Sequence, residues 1–322
     1  MRVFLTGGTG FIGGEVARLL RERGDDVLVL VRTPAKAAGL EDLGCELVPG
    51  DLSDETALRT ALTGCDAVVH AAAVYEIGVP ESRREQLVDA NVRGTERVLG
   101  AALAVGVTKA VYVSTVAVFG DTGGQVADEA WLRPEGQAFT SVYEQTKVEA
   151  HQRATQIGAQ GLPLVIVQPG VVYGPGDHSE VGGLFARLLK GQLPLAPFPE
   201  MGVTPVHRDD AAAGILLALD KGAAGESYVL AGEPTTMGDL LGELARVAGK
   251  RKPFAALPAV LVKAIVPVGR FVGPVLGFPP NLRELLSSSH GVTFWARSDK
   301  AQRELGWTFR PLAEGLATVV SP

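Results

Sequence analysis

Two side chains with complementary acid–base chemistry lie four residues apart in the stretch YEQTK, at Tyr143 and Lys147. None of the other four tyrosines has a lysine at this distance. In a helix, the spacing puts both side chains on one face, where a surface pair would contribute only a few tenths of a kcal/mol. Inside an active site, however, the ammonium would favour the phenolate and lower the phenol pKa from about 10. The pair therefore predicts proton exchange with a substrate oxygen.

Two hydroxyl side chains, Ser114 and Thr115, come before this pair in the stretch VSTVAVFG. Hydride addition to a carbonyl creates an alkoxide that must be protonated, and a neighbouring hydroxyl can hold the reacting oxygen in place. Either hydroxyl could do this beside Tyr143. The sequence thus predicts chemistry at one carbonyl or carbinol carbon.

Alternating strands and helices must position these groups. Continuous β-branched runs predict strands that are covered on both faces. The strands are predicted over residues 2–6, 26–31, 67–70, 110–114 and 163–168, and the helices over 11–23, 55–62, 83–105 and 141–160. This alternation predicts an α/β fold with a Rossmann-type doubly wound parallel sheet.

The pattern loosens after YGPGD at 173–177, where two glycines and a proline indicate a loop. Shorter helices and a proline-rich apolar segment follow, which predicts a smaller C-terminal α/β substrate lobe. We predict a dinucleotide-binding domain over residues 1–174 and the substrate-binding lobe over 175–322. We expect some of the later chain, at about 205–232, to return to the main domain.

A glycine-rich turn, TGGTGFIGG, joins the first predicted strand to the first predicted helix. Its three spaced glycines would permit a tight turn, close approach of the backbone to a pyrophosphate, and close packing of the helix on the sheet. The helix N-terminus adds free N–H groups and a positive dipole end. The residues expected to contact the dinucleotide are Gly7, Thr9, Gly10, Phe11, Ile12 and Gly13.

The end of the second predicted strand distinguishes the two nicotinamide cofactors. A carboxylate there would bond the ribose 2′-hydroxyl and repel a 2′-phosphate. This chain instead has Arg32, with Lys36 nearby. Because a guanidinium can pair with a 2′-phosphate and stack on adenine, we predict NADP(H) rather than NAD(H).

Two further turns are expected to face the cofactor. In GDLSD, Asp51 could accept a hydrogen bond from the adenine amino group while Leu52 packs on the ring, or the segment could be a turn that starts a helix. In HAAAVYE, the small side chains of Ala71, Ala72 and Ala73 would let the backbone lie against the cofactor.

Composition narrows the partners and the compartment. The 30 Lys plus Arg and 36 Asp plus Glu give a net charge of -6 without a long basic run, which argues against nucleic acid. Cys45 and Cys65 match no CxxC or metal spacing, and the chain has no HExxH motif, so we expect free thiols and no catalytic metal. The N-terminal stretch MRVFLTGGTG starts a predicted strand at once, so we do not expect a secretory signal. Together these features predict a cytoplasmic protein.

One long segment, residues 254–280, is apolar, but several prolines and the charges of Lys263 and Arg270 interrupt it. A membrane-spanning helix needs about 20 mostly apolar residues without a central charge. We therefore expect this segment to cover a substrate pocket or a partner subunit rather than to contact a membrane.

Taken together, the motifs resemble the extended short-chain dehydrogenase/reductase superfamily, the NAD-dependent epimerase/dehydratase family. The resemblance rests on TGGTGFIGG, GDL, HAAA, NVRGT, VSTVAVFG, YEQTK, QPGVVYGPGD, PVHRDDAAAG and SDKAQRELGW, which span most of the chain in the family's order. It implies that Tyr143 is the catalytic acid/base and Lys147 its partner. Thr115 falls at the position of the family's hydroxyl, with Ser114 as the alternative, and Asn91 looks like the helix asparagine behind the active site.

The resemblance also indicates where the remaining contacts lie. The residues implied beside the nicotinamide carboxamide are Pro169, Gly170, Val171 and Val172. The residues we expect to contact substrate are Tyr75, Val116, Phe119, Gln168, Tyr173, His178 and His207. Gln168 and Phe119 depart from the arginine and tyrosine that the family often has there, and His207 could equally cap or pack. The helices over 83–105 and 141–160 are the superfamily's usual dimer faces, which implies a homodimer.

Within the superfamily, the chain is most similar to dihydroflavonol-reductase-like proteins, a neighbourhood that includes bacterial hopanoid-associated sugar epimerases. The apolar second lobe favours an NADPH-dependent reductase of a fairly apolar ketone. The alternative is a sugar-nucleotide epimerase or dehydratase, which reduces and reoxidises its cofactor within one turnover. Dehydratases usually have acids directly after the catalytic hydroxyl, whereas Val116 and Ala117 follow Thr115 here. A third alternative is an NADP-binding regulatory protein.

Overall fold

The structure is a computed structural model that describes residues 1–257 and 281–321, together with positions 263, 266 and 279. The expected role of the apolar segment 254–280 therefore lies mostly outside the described residues. Within the described ranges, no helix combines the length and the apolar composition needed to cross a membrane.

The strands form where the sequence has short apolar runs. In β1 and β2, every residue after the first is buried, as expected for strands that are covered on both faces. The described strands are β1 (Arg2–Thr6), β2 (Asp26–Val31), β3 (Glu46–Pro49), β4 (Ala67–His70), β5 (Lys109–Val113), β6 (Leu164–Pro169), β7 (Val171–Tyr173), β8 (Leu195–Ala196), β9 (Gly202–Val203), β10 (Pro205–His207), β11 (Ser227–Leu230), β12 (Thr235–Thr236) and β13 (Ala255–Ala256).

Seven of these strands form one parallel sheet in the order β11-β6-β5-β4-β1-β2-β3. Thr6 on β1 pairs with His70 on β4, which in turn pairs with Tyr112 on β5. The order of the strands reverses between β1 and β4. Such a reversal opens a crevice outside the carboxyl ends of the strands, where doubly wound folds bind nucleotides. The predicted α/β fold with a Rossmann-type sheet is confirmed.

Helices cover both faces of this sheet. α1 and α8 pack on one face, and α3, α5 and α6 pack on the other. A π-helical turn at Asp89–Arg93 joins α4 to α5 without a break. The described α-helices are α1 (Phe11–Glu22), α2 (Ala38–Asp42), α3 (Glu55–Leu62), α4 (Arg84–Val88), α5 (Gly94–Val105), α6 (Val142–Ala159), α7 (Glu180–Leu189), α8 (Arg208–Lys221), α9 (Met237–Val247), α10 (Leu282–Ser289) and α11 (Leu312–Val320).

A smaller lobe follows β7. Its apolar core joins α7, α9 and α11 through side chains such as Phe185, Leu240 and Leu316, which are almost fully enclosed. Short strand pairs, β7 with β10, β9 with β12 and β8 with β13, connect its parts. The chain returns to the main sheet in between, because α8 packs against α1 and β11 extends the sheet beside β6.

Three backbone segments approach one another closely at the glycine-rich turn. Gly7 has a φ of +80°, and a Cβ on it would lie 2.6 Å from the backbone nitrogen of Ala72. A Cβ on Gly13 would lie 2.1 Å from the carbonyl oxygen of Gly7. No side chain fits at either position without moving the backbone. The turn can therefore hold α1 and the segment after β4 against the end of β1 only because both residues are glycines.

This packing predicts opposite effects for two neighbouring glycines of α1. We expect Gly13→Ala to lower the free energy of unfolding by about 2–3 kcal/mol, because its methyl group would force the backbone of the turn apart. Gly14→Ala is the matched control, since a Cβ there would lie 3.4 Å from the carbonyl oxygen of Gly8. Alanine in place of a helical glycine should stabilise the helix by up to about 1 kcal/mol. Urea denaturation measures both effects, and equal losses would contradict the prediction.

Candidate active site

The catalytic candidates sit at the beginning of α6, beside the carboxyl end of β5. Ser141 caps the helix, its hydroxyl oxygen accepting a hydrogen bond from the Glu144 backbone nitrogen at 3.0 Å. This cap starts the helix just before Tyr143 and thereby places Tyr143 in its first turn. Lys147 follows one turn later on the same face. The expected pairing of the two side chains on one helix therefore occurs next to β5.

The Lys147 side chain is buried against β5. Its ammonium donates hydrogen bonds to the Val113 carbonyl oxygen at 3.0 Å and to the Tyr112 hydroxyl at 3.2 Å. It also lies 4.9 Å from the centroid of the Tyr112 ring. Burial lowers the pKa of Lys147 from its ordinary value to about 7. The group can consequently gain or lose a proton near neutral pH.

The Tyr143 phenol is held in its protonated form. Burial raises its pKa above the ordinary value, and a hydrogen bond with the Thr115 side chain acts in the opposite direction. The Tyr75 ring meets the Tyr143 ring edge-on, with centroids 4.8 Å apart. The prediction that Lys147 lowers this pKa is not met in this structure, because desolvation dominates. A protonated phenol is the form that can donate a proton to an alkoxide.

The two adjacent hydroxyls point to different partners. The Ser114 hydroxyl is buried and lies 3.0 Å from His151 Nδ1 on α6. The Thr115 hydroxyl is partly exposed and accepts a hydrogen bond from the Ala117 backbone nitrogen at 3.2 Å, and its side chain lies next to the Tyr143 phenol. Thr115, rather than Ser114, therefore lies beside the phenol.

Asn91 lies in the π-helical turn behind the site and is almost completely enclosed. Its side-chain oxygen accepts a hydrogen bond from the Val74 backbone nitrogen at 2.7 Å. Its side-chain nitrogen donates to the Val74 carbonyl oxygen and to the Thr146 hydroxyl, both at 3.0 Å. Asn91 therefore ties the segment after β4 to α6 and fixes Tyr75 and Tyr143 relative to each other.

The glycine-rich turn has the form of a pyrophosphate cradle. Gly10 precedes α1 without any side-chain cap, so the N–H groups of the first helical turn remain available to an anion. Among the expected contacts, Thr9 and Gly10 are exposed, while Phe11 and Ile12 are half-buried. The backbone of Ala71 and Ala72 lies directly against Gly7. These residues fit a bound dinucleotide at the crevice between β1 and β4.

The residues expected around the adenosine lie at the neighbouring strand ends. Arg32 follows β2 directly, and both Arg32 and Lys36 are exposed, without an ion pair within the described part of the chain. Asp51 accepts a hydrogen bond from the Ser53 backbone nitrogen at 3.0 Å, which makes it a turn residue, while Asp54 caps α3. Leu52 is half-buried and packs on the core near α5.

The strand-to-strand connection after β6 is also tightly packed. Pro169 ends β6 and is buried, whereas Val171 and Val172 on β7 are half-buried. A Cβ on Gly170 between them would lie 2.0 Å from the Thr204 carbonyl oxygen. The expected nicotinamide-facing segment is thus held at the carboxyl end of the sheet by β10, which pairs with β7.

A cavity of about 260 Å³ is connected to the catalytic candidates through Tyr75, whose ring contacts that of Tyr143. Two of the expected substrate contacts, Tyr75 and His178, line it together with Ile77, Pro80 and Glu180. Glu180 is the first residue of α7. Burial of its carboxyl group, and to a smaller extent the negative charge of Glu284, raise its pKa to about 7. The cavity therefore combines apolar walls with a carboxyl group that is partly protonated at neutral pH.

The other five expected substrate contacts are buried in this structure and do not line this cavity. Val116 and Phe119, which follow Ser114 and Thr115 in the sequence, pack together in a small apolar cluster. Gln168 is buried within β6, and Tyr173 lies in the core of the second lobe. His207 caps α8 and shares a 3.0 Å hydrogen bond with Thr318. A single stretch of sequence shows neither how the second lobe packs nor which way a side chain on a strand points.

Sequence reasoning missed Glu180, Tyr112 and His70. Glu180 looks like an ordinary acid in the first turn of a helix, so its place in the cavity gives no local signal. Tyr112 and His70 lie inside apolar strands and look like core residues. Aligning β4 and β5 in their parallel register could have identified Tyr112 and His70 as neighbours. The two strands bring their rings side by side, with centroids 5.6 Å apart.

Comparison with known proteins identifies the family of this chain. The model of the NAD dependent epimerase/dehydratase family matches residues 3–231. A Synechocystis sp. protein named "Putative dihydroflavonol 4-reductase" is 32% identical over 324 residues, which cover 98% of this chain and 93% of that protein. The 2-alkyl-3-oxoalkanoate reductase of Stenotrophomonas maltophilia is 32% identical over 321 residues, covering 95% and 94% of the two chains.

Solved structures show the same architecture. The dTDP-glucose 4,6-dehydratase DesIV of Streptomyces venezuelae, a double mutant with NAD bound, superposes with a TM-score of 0.79 at 27% identity and covers 99% of this chain and 96% of that one. Fold and site define an NAD(P)-dependent enzyme of the extended short-chain dehydrogenase/reductase type that acts on a small molecule. The chain belongs to the NAD dependent epimerase/dehydratase family.

Proposed function

We propose that the enzyme is an NADPH-dependent reductase of an uncharged, fairly apolar ketone, with Tyr143 as the proton donor. The observation that carries this proposal is the protonated Tyr143 phenol, which lies next to the Thr115 side chain and in edge contact with Tyr75, a residue that lines a largely apolar cavity. Reductase names among the relatives, such as that of the 2-alkyl-3-oxoalkanoate reductase, support it.

Each residue of the site has a distinct role in the proposed reaction. When bound, the nicotinamide supplies the hydride that adds to the carbonyl carbon. The Thr115 hydroxyl holds the carbonyl oxygen, and Tyr143 gives that oxygen its phenolic proton as the negative charge develops. The Lys147 ammonium then lies near the resulting phenolate and stabilises it. Asn91 keeps the loop that carries Tyr75 in place beside Tyr143.

The charge of the cavity favours an uncharged substrate. Among the described residues that line it, Arg83 is the one with a cationic side chain, and it pairs with Glu76 at 2.9 Å. Glu180 adds a carboxyl group to the same wall. A nucleotide sugar would bring a diphosphate that needs unpaired cations, and ionised Glu180 would repel it. A neutral ketone needs no unpaired cation and is not repelled by ionised Glu180.

The second candidate is a sugar-nucleotide epimerase or dehydratase. It is favoured by the close match to DesIV, which carries NAD in its structure. The two activities differ in cofactor use, because a reductase consumes one NADPH for each ketone, whereas an epimerase or dehydratase restores its cofactor in every turnover. Steady loss of NADPH absorbance with ketones, and its absence with nucleotide sugars, would identify the reductase.

Tyr143→Phe should abolish most of the reductase activity. Removal of the proton donor is expected to lower kcat about 10²- to 10⁴-fold, while NADPH still binds because the glycine-rich turn is unchanged. Kinetics with a panel of apolar ketones measure kcat, and quenching of protein fluorescence measures NADPH binding. A variant with wild-type turnover would remove Tyr143 from the mechanism.

Removal of the Thr115 hydroxyl should lower kcat far more than removal of the Ser114 hydroxyl. Thr115→Val removes the group that lies beside Tyr143, and we expect kcat to fall about 10²-fold. Ser114→Ala is the matched control, because its hydroxyl faces His151 instead, and its loss should be far smaller. Comparison of kcat and melting temperature for both variants tests the assignment, which fails if Ser114→Ala is the more damaging substitution.

Arg32 should set the choice of cofactor. An ionic hydrogen bond contributes about 1.5–3 kcal/mol, so Arg32→Ala should raise the KM for NADPH about 10- to 100-fold and leave the KM for NADH unchanged. Arg153→Ala, an exposed arginine on α6, is the control. Equal changes with both cofactors would show that Arg32 does not contact a 2′-phosphate.

A further inference from the structure

A row of polar side chains crosses the sheet beneath the catalytic lysine. Thr6, His70 and Tyr112 occupy paired positions on β1, β4 and β5, and they point to the face that α5 and α6 cover. All three are almost fully buried. The row ends at Lys147, whose ammonium donates to the Tyr112 hydroxyl. The apolar face of the sheet is thus interrupted at the one position where a buried ammonium rests on it.

The hydrogen bonds of this row have a defined direction. The Thr95 hydroxyl donates its single proton to the Asn91 carbonyl oxygen at 2.7 Å. It can therefore only accept from His70 Nε2, which lies 3.0 Å away and must carry the ring proton. His70 Nδ1 then accepts from the Thr6 hydroxyl at 2.7 Å. Burial, and then the charge of Lys147, lower the pKa of His70 to about 3, so the ring stays neutral.

Tyr112 completes this arrangement. Its hydroxyl oxygen lies 3.2 Å from the Lys147 ammonium. Because an ammonium group can only donate, the Tyr112 oxygen is the acceptor in this pair. The Tyr112 ring stacks on His70 at an interplanar angle of 21°, which fixes its orientation. Every polar atom of the row thereby has a partner, and the last acceptor is the one that faces the ammonium.

We propose that Tyr112 is a positioning residue that stabilises the charged form of Lys147 by accepting its hydrogen bond, with His70 holding the Tyr112 ring in place by stacking on it. The Val113 carbonyl oxygen is the second acceptor. Without the Tyr112 hydroxyl, that carbonyl and the Tyr112 ring face alone would support a buried ammonium. The role concerns the charge of Lys147 and does not require Tyr112 to touch substrate.

The groups around Lys147 make this acceptor important. The titratable side chains that face it are His70 on β4, Tyr112 on β5, and Tyr143 and His151 on α6. The pKa of His151 is lowered to about 4 by burial and then by Lys147, so neither histidine carries a charge at neutral pH. Among the described residues, no carboxylate balances the ammonium. Its stability therefore depends on neutral acceptors.

The test is a direct titration of the lysine. In protein labelled with ¹³C-lysine, the Lys147 signal is assigned by its absence in Lys147→Gln, and its chemical shift is followed from pH 5 to 10. Tyr112→Phe keeps the ring, its stack on His70 and its contact with the ammonium, but removes the acceptor. We expect the pKa of Lys147 to fall by about one pH unit, a tenfold change in its protonation equilibrium. The alkaline limb of NADPH-dependent turnover should move in parallel.

Tyr228→Phe is the matched control. Tyr228 is an equally buried tyrosine of the same sheet with Lys300 at 4.9 Å from its ring centroid, and its hydroxyl bonds Glu304 away from the site. It should lose stability without moving the Lys147 titration. An unchanged Lys147 pKa in folded Tyr112→Phe, or an activity loss that is equal at every pH, would overturn the proposal. The NMR titration needs no substrate, so it remains decisive even if the proposed ketone reductase activity is wrong.

Discussion

The site depends on a buried ammonium group that rests on neutral acceptors. Lys147 meets a backbone carbonyl oxygen, a phenol hydroxyl and a ring face at the carboxyl end of β5. Burying a charge without an opposite charge is costly, and each hydrogen bond to it recovers part of that cost. This requirement explains why Tyr112 and His70 interrupt apolar strands. It also fixes α6 against β5, since the lysine reaches these acceptors only from one face of the helix.

The same helix is also held from the opposite end of the chain. Glu284 on α10 accepts a hydrogen bond from the Val142 backbone nitrogen at 2.9 Å, so an acid of the second lobe stabilises the N-terminus of α6. Tyr143 is the next residue. Asn91 holds the loop of Tyr75 to the same helix through Thr146. Sheet, loop and lobe therefore converge on one helical turn, and a displacement of any of them would move the phenol relative to the glycine-rich turn.

Local signals in the sequence were sufficient to predict the sheet and to predict that Tyr143 and Lys147 share one helix. β1, β2 and β4 have the predicted bounds because continuous apolar runs between turns identify buried parallel strands. The spacing of Tyr143 and Lys147 is likewise local. The upward shift of the Tyr143 pKa could not be predicted from the sequence, because it depends on burial by Tyr75 and other distant segments. The enclosure of Gln168 and Tyr173 and the position of Glu180 depend on how the second lobe packs, which no local pattern encodes.

The pKa shifts around the site have a common physical consequence. Burial favours the neutral form of every group there, raising the pKa values of Tyr143 and Glu180 and lowering those of Lys147, His70 and His151. In such surroundings a carbonyl that accepts a hydride creates the strongest local negative charge. A protonated phenol removes that charge by proton transfer, and a lysine that is still protonated stabilises the phenolate left behind. If the proposed reduction takes place here, the reacting oxygen differs from the rest of the substrate by the negative charge that it gains in the transition state, and these groups would act on that charge.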